Sequence, residues 1–414
     1  MWYNCVMNTT AIISEYNPFH NGHRLHIEKA RELIGADFVV AVMSGNFVQR
    51  GEPAIFDKFL RTRCALLNGV DLVIEMPVLS ACAAGQYFAE GAIKVLNAAN
   101  IVDNIFFGSE IGDINVLKKT ADIMLDEKKS VSNALKLNLS RGMSFPAARA
   151  DAFSGSDEEV SSVLCSPNNI LAIEYLKALH LTKSKIKPFT MQRVIADYHS
   201  EEILGEISSA TAVRKAILNG NLAGAYLSVP ENIRDLYQNA IDNENIFALD
   251  NLSRIFHYII KTKPKSEIAK SLDISEGLEN RIISASEQNY LISDIIQKVK
   301  TKRYTLSKIR RIILQILLNT TKESFGEFNN KTIPYIRVLG FKKSSEHLLK
   351  ELHRQASVPA ITNLKQAKNL LDERRHNMLE YELMTSDIYA LSQNCYISNP
   401  KRKGFEYGMP IVIV

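Results

Sequence analysis

The sequence predicts an α/β protein in which a parallel β-sheet covered by helices is followed by a mainly α-helical domain. Over the first 110 residues, short runs rich in Val, Ile and Phe alternate with segments whose apolar residues recur at helical spacing. Because such alternation indicates βαβ units, the sheet should be parallel. After about residue 225, strand-like runs nearly disappear. We therefore expect two domains, residues 1–225 and residues 226–414.

Four buried strands are predicted in the front domain, and each ends at a polar stretch. The strands are AIISEY (11–16), DFVVAVM (37–43), DLVIEMP (71–77) and NIFFGSE (104–110). The helices between them are GHRLHIEKARELI (22–34), DKFLRTRCALLN (57–68) and GQYFAEGAIKVLNAAN (85–100). Ligands of such sheets bind outside the carboxyl ends of the strands, so the polar stretches there should form one cleft.

The later elements follow from capping residues and helical periodicity. SPNNILAIEYLKAL (166–179) should begin a helix with Ser166 as N-cap and Pro167 at the first position. KPFTMQRV (187–194) reads as a further strand. The remaining helical segments are 111–165, SSATAVRKAIL (208–218), KIRRIILQILL (308–318) and SSEHLLKELHR (344–354).

Composition and charge exclude several classes of protein. No apolar run reaches the ~18–20 residues of a membrane span, and the first ten residues do not resemble a signal peptide. Five scattered cysteines without a CxxC pair argue against a disulfide framework or zinc site and suit a reducing cytoplasm. Residues 1–250 carry 23 Lys and Arg against 29 Asp and Glu, whereas residues 251–414 carry 27 against 16. The basic rear half should contact a polyanion, unless it is only a solvated, lysine-rich surface.

The segment SEYNPFHNGH (14–23) carries the clearest chemical signal. It lies where the first strand ends and the first helix begins, and a helix N-terminus favours a phosphate group. Gly22 allows close approach, and His20 and His23, three residues apart, lie on one helical face. Imidazoles there can donate hydrogen bonds to phosphoryl oxygens as charge develops. Two surface histidines in a turn, or a zinc pair, are the alternatives; the order of strand, Asn-Pro turn, glycine and helix favours nucleotide binding.

These residues resemble the H-x-G-H signature of the nucleotidyltransferase superfamily, which implies a Rossmann-like parallel-sheet nucleotidyltransferase (HIGH-type) domain. An ordered set of further segments is similar to the bacterial tRNA(Met) cytidine acetate ligases. The set is SEYNPFHNGHRLHI, MSGNFVQRGEPAIFDKFLR, GVDLVIEMP, FFGSEIGD, SPNNILAIEYLKAL, ISSATAVRK, KRYTLSKIRRIILQILL and PYIRVLGF. The resemblance implies that acetate and ATP form acetyl-adenylate and pyrophosphate. The acetyl group then passes to N4 of the wobble cytidine of elongator tRNA(Met), giving N4-acetylcytidine without acetyl-CoA.

The resemblance also implies a set of ATP-binding residues, with Mg²⁺ accompanying ATP. His20 and His23 would donate to the α- and β-phosphates. The segment lining the nucleotide would be Ile13, Ser14, Glu15, Tyr16, Asn17, Pro18, Phe19, His20, Asn21, Gly22, His23, Arg24, Leu25 and His26. Further contacts would come from Gly108, Arg193, one of Asn168 and Asn169, and the hydroxyl residues Ser208, Ser209 and Thr211. An ordinary turn glycine and plain helix caps are the structural alternatives for these last positions.

Two sets of residues keep more than one possible role. Gln49, Arg50, Lys58 and Arg61 would hold acetate, triphosphate or the tRNA end, or only form a salt-bridged loop. Glu15 stands where many superfamily members have Thr or Ser, and a carboxylate beside phosphates is repulsive without a partner. Our hypothesis is that Glu15 positions the cytidine amine or a Mg²⁺-bound water.

The rear domain must bind the tRNA. A basic segment with one aromatic residue suits phosphate contacts plus stacking on an unpaired base. Its members are Lys298, Lys300, Lys302, Arg303, Tyr304, Lys308, Arg310 and Arg311, and KRK (401–403) would add to them. The rivals are another H-x-G-H adenylyltransferase acting on a small molecule and a non-catalytic tRNA-binding protein. The sequence gives no sign of an obligate protein partner or of membrane attachment.

Overall fold

The computed structural model describes residues 7–126, 129–154, 158–193, 205–275, 277–329, 332–393 and 404–414. The strands there are β1 (Thr9–Ser14), β2 (Phe38–Ser44), β3 (Phe47–Val48), β4 (Glu52–Pro53), β5 (Leu72–Met76), β6 (Asn104–Ser109), β7 (Lys187–Gln192), β8 (Ile336–Phe341), β9 (Ala360–Ile361) and β10 (Val412–Ile413). The front helices are α1 (Asn21–Ile34), α2 (Lys58–Leu67), α3 (Val78–Ala81), α4 (Gly85–Ala99), α5 (Ile114–Leu125), α6 (Lys129–Ser140), α7 (Phe145–Ser154), α8 (Glu158–Val163), α9 (Pro167–Leu181), α10 (Ala210–Leu218) and α11 (Leu222–Leu227). The rear helices are α12 (Arg234–Asp242), α13 (Ser253–Thr262), α14 (Lys265–Ile268), α15 (Leu278–Gln288), α16 (Ile292–Val299), α17 (Leu306–Leu317), α18 (Lys322–Asn329), α19 (Glu346–Gln355), α20 (Leu364–Leu370) and α21 (Glu373–Ala390).

The sheet has the strand order β10-β8-β5-β2-β1-β6-β7, with β9 beside β8. Its pairs are parallel except for the antiparallel pair β5–β8. The four predicted front strands and the further strand at 187–192 are confirmed. The chain leaves β1 toward β2 and β5 on one side and returns to β6 on the other. The switch point where a ligand binds therefore lies between the carboxyl ends of β1 and β6.

Helices cover both faces of this sheet, which explains why its central strands are apolar throughout. Along β2, Val40 and Val42 point into the core shared with α4 and α9, while Val39, Ala41 and Met43 point into the core shared with α1 and α2. Successive side chains of a strand point to opposite faces, so both sets are buried. The predicted α/β fold class is confirmed.

The rear residues contribute in two different ways. A separate apolar core joins α13, α15, α16 and α17, in which Ile309, Ile312 and Ile316 are buried as the helical periodicity predicts. By contrast, β8 and α21 pack back onto the front sheet, where Val338 and Tyr389 share the core of β2 and β5. The division at residues 225 and 226 stays a prediction. Among the described residues, no helix is long and apolar enough to cross a membrane.

Candidate nucleotide-binding site

The loop between β1 and α1 is built on an aromatic base. Tyr16 adopts a left-handed backbone conformation with φ of 47°, which is uncommon for a large residue. Its side chain is 1% exposed, and its ring lies 5.0 Å from Phe19 and 4.9 Å from His23 between centroids. Such backbone strain persists where surrounding contacts hold it, and it is concentrated at functional sites.

His20 and His23 cap the first turn of α1 together. His20 Nδ1 accepts a hydrogen bond from Gly22 N at 3.0 Å, and His20 N donates to His23 Nδ1 at 3.2 Å. The hydrogen-bond pattern therefore assigns the proton of each neutral ring to Nε2. The His20 ring folds over Gly22, where an added Cβ would lie 2.8 Å from His20 Cε1. Glycine is needed here because the capping imidazole occupies the space of a side chain.

Both imidazoles are neutral at physiological pH. Burial lowers the pKa of His20 to about 3, and the charge of Arg193 acts in the same direction. Burial, followed by the charges of His20 and Arg193, also moves the pKa of His23 well below its usual range. Two neutral Nε2–H donors thus stand at a helix N-terminus, an arrangement suited to phosphoryl oxygens.

Across the switch point, Asn168 and Asn169 have different surroundings. Asn169 is buried, and its Oδ1 accepts from the backbone N of Glu110 at 2.9 Å and of Ile111 at 3.1 Å. The Glu110 carboxylate in turn accepts from the backbone N of Asn168 and Asn169 at the start of α9. The Asn168 side chain contacts two groups, because its Nδ2 donates to Glu110 Oε1 at 2.6 Å and its Oδ1 accepts from Arg193 Nη1 at 2.8 Å. Asn169 therefore holds the loop, and Asn168 lies beside the exposed Arg193.

Gly108 lies directly beneath the Arg193 side chain. A Cβ added at Gly108 would lie 2.8 Å from Arg193 Cγ and 3.4 Å from Cδ. The family resemblance implies a glycine at this position that lets a nucleotide approach the backbone. The structure adds a second reason, because the aliphatic part of Arg193 crosses this position.

The N-terminus of α10 lies beside the N-terminus of α1. Asn21 N donates to Ser228 O at 2.8 Å, and Asn21 Nδ2 donates to Glu206 O at 2.9 Å. Ser209 is the N-cap of α10, and its hydroxyl accepts from Ala212 N at 3.1 Å. Ser208 is buried with its hydroxyl 3.4 Å from Gly205 O, whereas Thr211 is partly exposed in the first turn of α10. Two helix N-termini thus converge on one region.

Sequence reasoning missed Arg214, although it ends the motif SSATAVR. Its Nη1 donates to Asn17 O at 2.6 Å, inside the H-x-G-H loop. Its Nη2 lies 2.9 Å from Glu52 Oε1, on the β3–β4 hairpin. The signal that could have found it is its position one helical turn after the capping residues, where its side chain reaches back along the helix.

Glu15 and Arg61 join the H-x-G-H loop to the segment after β2. Glu15 Oε1 accepts a hydrogen bond from Gln49 N at 2.7 Å. Burial raises the pKa of Glu15, and this effect exceeds that of the hydrogen bond and of the Arg50 and Arg214 charges, which lower the pKa. Arg61 is fully buried, and its guanidinium donates to backbone carbonyls of Glu15, Ser44, Gly45 and Phe56. Arg61 therefore holds the ends of β1 and β2 together.

Lys58 also binds within the protein. It is 1% exposed, and its Nζ lies 2.7 Å and 2.8 Å from the two Glu75 oxygens and 2.5 Å from Glu406 Oε1. Of the four loop candidates, Gln49 and Arg50 are partly exposed. For Gln49 and Arg50, contact with a ligand stays a prediction, whereas Lys58 and Arg61 make the internal contacts that were the alternative.

The other members of the predicted ATP segment lie around this loop. Ile13, Ser14 and Leu25 are partly buried, and Pro18 and Phe19 are buried. Arg24 is exposed and lies 3.5 Å from Glu28. His26 stacks on Phe106 with ring centroids 4.9 Å apart, and burial lowers the pKa of His26 to about 4, with Arg193 adding to the effect.

The predicted basic segment divides into exposed cations and cations with structural partners. Lys298, Lys300 and Lys302 are exposed. Arg310 Nη1 lies 3.5 Å from Glu52 Oε2, and Arg311 Nε lies 3.2 Å from Asp273 Oδ2. The segment KRK (401–403) lies outside the described residues.

Tyr304 belongs to the rear apolar core. It is 9% exposed, and its ring is 5.9 Å from the Arg303 guanidinium and 5.3 Å from the Lys308 ammonium. Base stacking on Tyr304, which the sequence suggested, would require these side chains to move.

A parallel sheet, an H-x-G-H loop at the end of its central strand and a second helix N-terminus beside that loop define a nucleotidyltransferase of the HIGH class. The family model described as HIGH Nucleotidyl Transferase matches residues 7–403. A tRNA(Met) cytidine acetate ligase of Thermoanaerobacter sp. (strain X514) is 41% identical over 410 residues, covering 98% of this chain and 100% of that protein. The chain belongs to the tRNA(Met) cytidine acetate ligase family.

Further relatives extend the match to solved structures. A tRNA(Met) cytidine acetate ligase of Caldanaerobacter subterraneus subsp. tengcongensis is 43% identical over 389 residues, covering 93% of this chain and 96% of that protein. The crystal structure of Thermotoga maritima TmcAL bound with alpha-thio ATP superposes with a TM-score of 0.90 at 32% identity. That match covers 99% of this chain and 100% of the Thermotoga chain.

Proposed function

We propose that this protein is an ATP-dependent tRNA acetate ligase. It joins acetate to ATP, giving acetyl-adenylate and releasing pyrophosphate. It then transfers the acetyl group to N4 of the wobble cytidine of elongator tRNA(Met), and the product is N4-acetylcytidine. Acetate, and not acetyl-CoA, is the acetyl source. The reaction takes place in the cytoplasm and needs no second protein.

The paired Nε2–H donors of His20 and His23 carry this proposal. Attack of a carboxylate oxygen on the α-phosphorus breaks the bond to the β-phosphate, and negative charge grows on the departing pyrophosphate. Because the Nδ1 atoms are held by the cap, the donor atoms are already aimed when the charge develops. Because both rings are neutral, no charge repulsion opposes their centroid separation of 3.9 Å.

The groups across the switch point complete the nucleotide site. Arg193, held by Asn168, supplies a guanidinium fork for phosphate, and the first turn of α10 supplies backbone N–H groups. The H-x-G-H segment 14–23 carries one carboxylate, Glu15, near the charges of Arg50 and Arg214. A Mg²⁺ ion accompanying ATP would be held mainly by the phosphates and water, and Glu15 would contact it through a water.

The test uses purified protein with ATP, radiolabelled acetate and total bacterial tRNA. The expected result is label in N4-acetylcytidine of tRNA without added acetyl-CoA. Acetate-dependent exchange of pyrophosphate into ATP without labelled tRNA would retain the adenylate chemistry and reject the acceptor. Absence of both activities in protein that binds ATP would reject the ligase and favour a tRNA-binding protein that holds ATP as a structural ligand.

A further inference from the structure

Helix α13 presents an exposed face of aromatic and basic residues. Its sequence is SRIFHYIIKT, and Phe256 and Ile260 on one side are buried in the rear core. The opposite side carries Arg254, His257, Tyr258 and Lys261, at the i, i+3, i+4 and i+7 positions of one helical face. Tyr258 is 68% exposed, which is the largest value among the large hydrophobic side chains in the described ranges.

A second tyrosine from the neighbouring turn extends this face. Tyr290 lies between α15 and α16 and is 55% exposed. Its ring is parallel to that of His257, with centroids 5.4 Å apart and an interplanar angle of 8°. His257 Nε2 also lies 2.9 Å from Tyr290 O. His257 therefore fixes one face of the Tyr290 ring and leaves the other to solvent.

The charges along α13 and directly after it have one sign, whereas exposed Glu287 and Asp294 lie within four residues of Tyr290. Residues 251–266 contain Arg254, Lys261, Lys263 and Lys265 and neither Asp nor Glu. Lys263 is held by a 2.6 Å hydrogen bond to Asn319 Oδ1, whereas Arg254, Lys261 and Lys265 are exposed. Exposed aromatic rings beside the cations of α13 suit a ligand that has both phosphates and flat, unpaired bases.

We propose that Arg254, His257, Tyr258, Lys261 and Tyr290, the α13 aromatic surface, stack unpaired bases of a single-stranded RNA loop. This inference rests on the proposed function, which makes that loop part of the tRNA substrate. Recognition of unpaired bases generally uses aromatic side chains in this way, with cations contacting the backbone. The surface supplies the exposed rings that the segment 298–311 lacks, since Tyr304 is buried.

The charge pattern favours RNA over a second copy of this chain. In a two-fold dimer built on this face, Arg254 and Lys261 of one protomer would approach the same cations of its partner. Like charges brought together at an interface oppose association. A polyanion meets no such repulsion, and its affinity should fall steeply with salt.

The first test measures binding of tRNA(Met) transcript to single variants at fixed salt. Tyr258→Ala and Tyr290→Ala should each raise Kd about ten-fold, since stacking on one ring contributes at that level. Tyr258→Phe should bind like the parent because it keeps the ring. Tyr407→Ala is the matched control, because Tyr407 is also exposed, at 43%, in another part of the chain. Acetate-dependent pyrophosphate exchange without tRNA should be unchanged in all variants.

The second test detects stacking directly. Trp2 is the only tryptophan of the sequence, so a Trp2→Phe, Tyr258→Trp protein reports on position 258 alone. Titration with an RNA anticodon stem-loop should quench its fluorescence, whereas heparin, a polyanion without bases, should not. Equal quenching by heparin, or none by RNA, would overturn the proposal, and thermal unfolding checks that each variant is folded.

The outcomes separate this inference from the proposed function. Unchanged RNA affinity of folded Tyr258→Ala and Tyr290→Ala proteins would overturn the inference and leave the ligase reaction intact. A dimeric parent that these substitutions convert to monomer, seen by sedimentation, would assign the surface to a second copy and also overturn it. Tyrosine-dependent RNA binding without acetate transfer would instead reject only the proposed function.

Discussion

Arg214 and Glu52 form a salt bridge that joins parts of the candidate site that are distant in the sequence. Arg214 Nη2 lies 2.9 Å from Glu52 Oε1, and Arg214 Nη1 donates to Asn17 O in the H-x-G-H loop. The other Glu52 oxygen lies 3.5 Å from Arg310 on α17. One carboxylate therefore connects the nucleotide loop with the basic helix of the rear half.

We expect Arg214→Lys to impair adenylation without unfolding the protein. A lysine ammonium cannot reach Asn17 O and Glu52 together as the guanidinium fork does. Loss of one charged hydrogen bond should lower kcat/KM for ATP about ten-fold or more in pyrophosphate exchange. Arg234→Lys on α12, where Nε donates to Val229 O, is the matched control. Equal effects of the two substitutions would contradict a specific role for Arg214.

His20→Asn separates helix capping from catalysis. Asparagine is a good N-cap, so its side-chain oxygen should replace His20 Nδ1 as acceptor for Gly22 N. It has no group at the position of Nε2, and the adenylation rate should fall by about 10²–10³. Denaturant unfolding should show nearly parental stability for His20→Asn, whereas His20→Ala should lose both stability and adenylation rate. A His20→Asn enzyme with the parental adenylation rate and stability would show that the His20 imidazole is not needed for adenylation.

Gly108→Ala should displace Arg193 and leave the fold intact. The new methyl group would meet Arg193 Cγ at 2.8 Å, and the flexible side chain would move before the strand does. If Arg193 contacts phosphate, KM for ATP should rise by about 3–10-fold, the loss expected for one weakened hydrogen bond. Gly326→Ala on α18 has open space around its Cβ and serves as the control. An unchanged KM would show that Arg193 is not needed in its present position.

Lys58→Met should strongly destabilise the protein. The substitution removes the cation that Glu75 and Glu406 share, and breaking such a buried pair typically costs about 3–5 kcal/mol. Arg337, whose Nη2 lies 3.8 Å from Glu406 Oε2, remains as a partner of Glu406. Adding Glu75→Gln and Glu406→Gln should restore much of the free energy of unfolding, measured in urea. Lys29→Met removes the exposed pair with Glu32 and should change stability by no more than about 1 kcal/mol. A similarly small effect at Lys58 would mean that the cluster contributes little to stability.

His26 makes stability depend on pH. Because burial lowers the pKa of His26 to about 4, the folded state resists a proton that the unfolded chain accepts near pH 6.5. The free energy of unfolding should therefore fall as the pH drops from about 6.5 toward 4. His26→Phe, which keeps a ring stacked on Phe106, should reduce this fall between pH 7.5 and 5. Identical pH dependence of the two proteins would argue against a lowered pKa at this position.

The elements that the sequence predicted well are those with a local signal. β2 is an apolar run buried on both faces, and α9 begins at Pro167 with Ser166 at the N-cap position, as predicted. The Glu110 carboxylate, and not the Ser166 hydroxyl, accepts from the first N–H groups of α9. The pairing of β8 with β5 has no such signal. It joins residues 336–341 to residues 72–74, and a single short strand among helices does not indicate its partner.

The candidate site likewise contains residues with a local sequence signal and residues without one. The H-x-G-H residues could be placed because strand, turn, glycine and helix occur within one short segment. The capping role of the histidines was not predicted, since histidine is not among the preferred cap residues. The burial of Lys58 depends on Glu406, and that of Tyr304 on the rear core, so neither follows from neighbouring residues.

The strand that covers β5 is made long after β5 itself during translation. Until residues 336–341 leave the ribosome, the nascent sheet exposes an unpaired edge, and such edges invite association with other chains. The ion pair between Lys58 and Glu406 likewise forms only after residue 406 has been synthesised. A fragment ending at residue 225 would contain the nucleotide loop and still have this open edge. Chaperone dependence and aggregation of truncated chains should therefore be governed by residues outside the candidate nucleotide site.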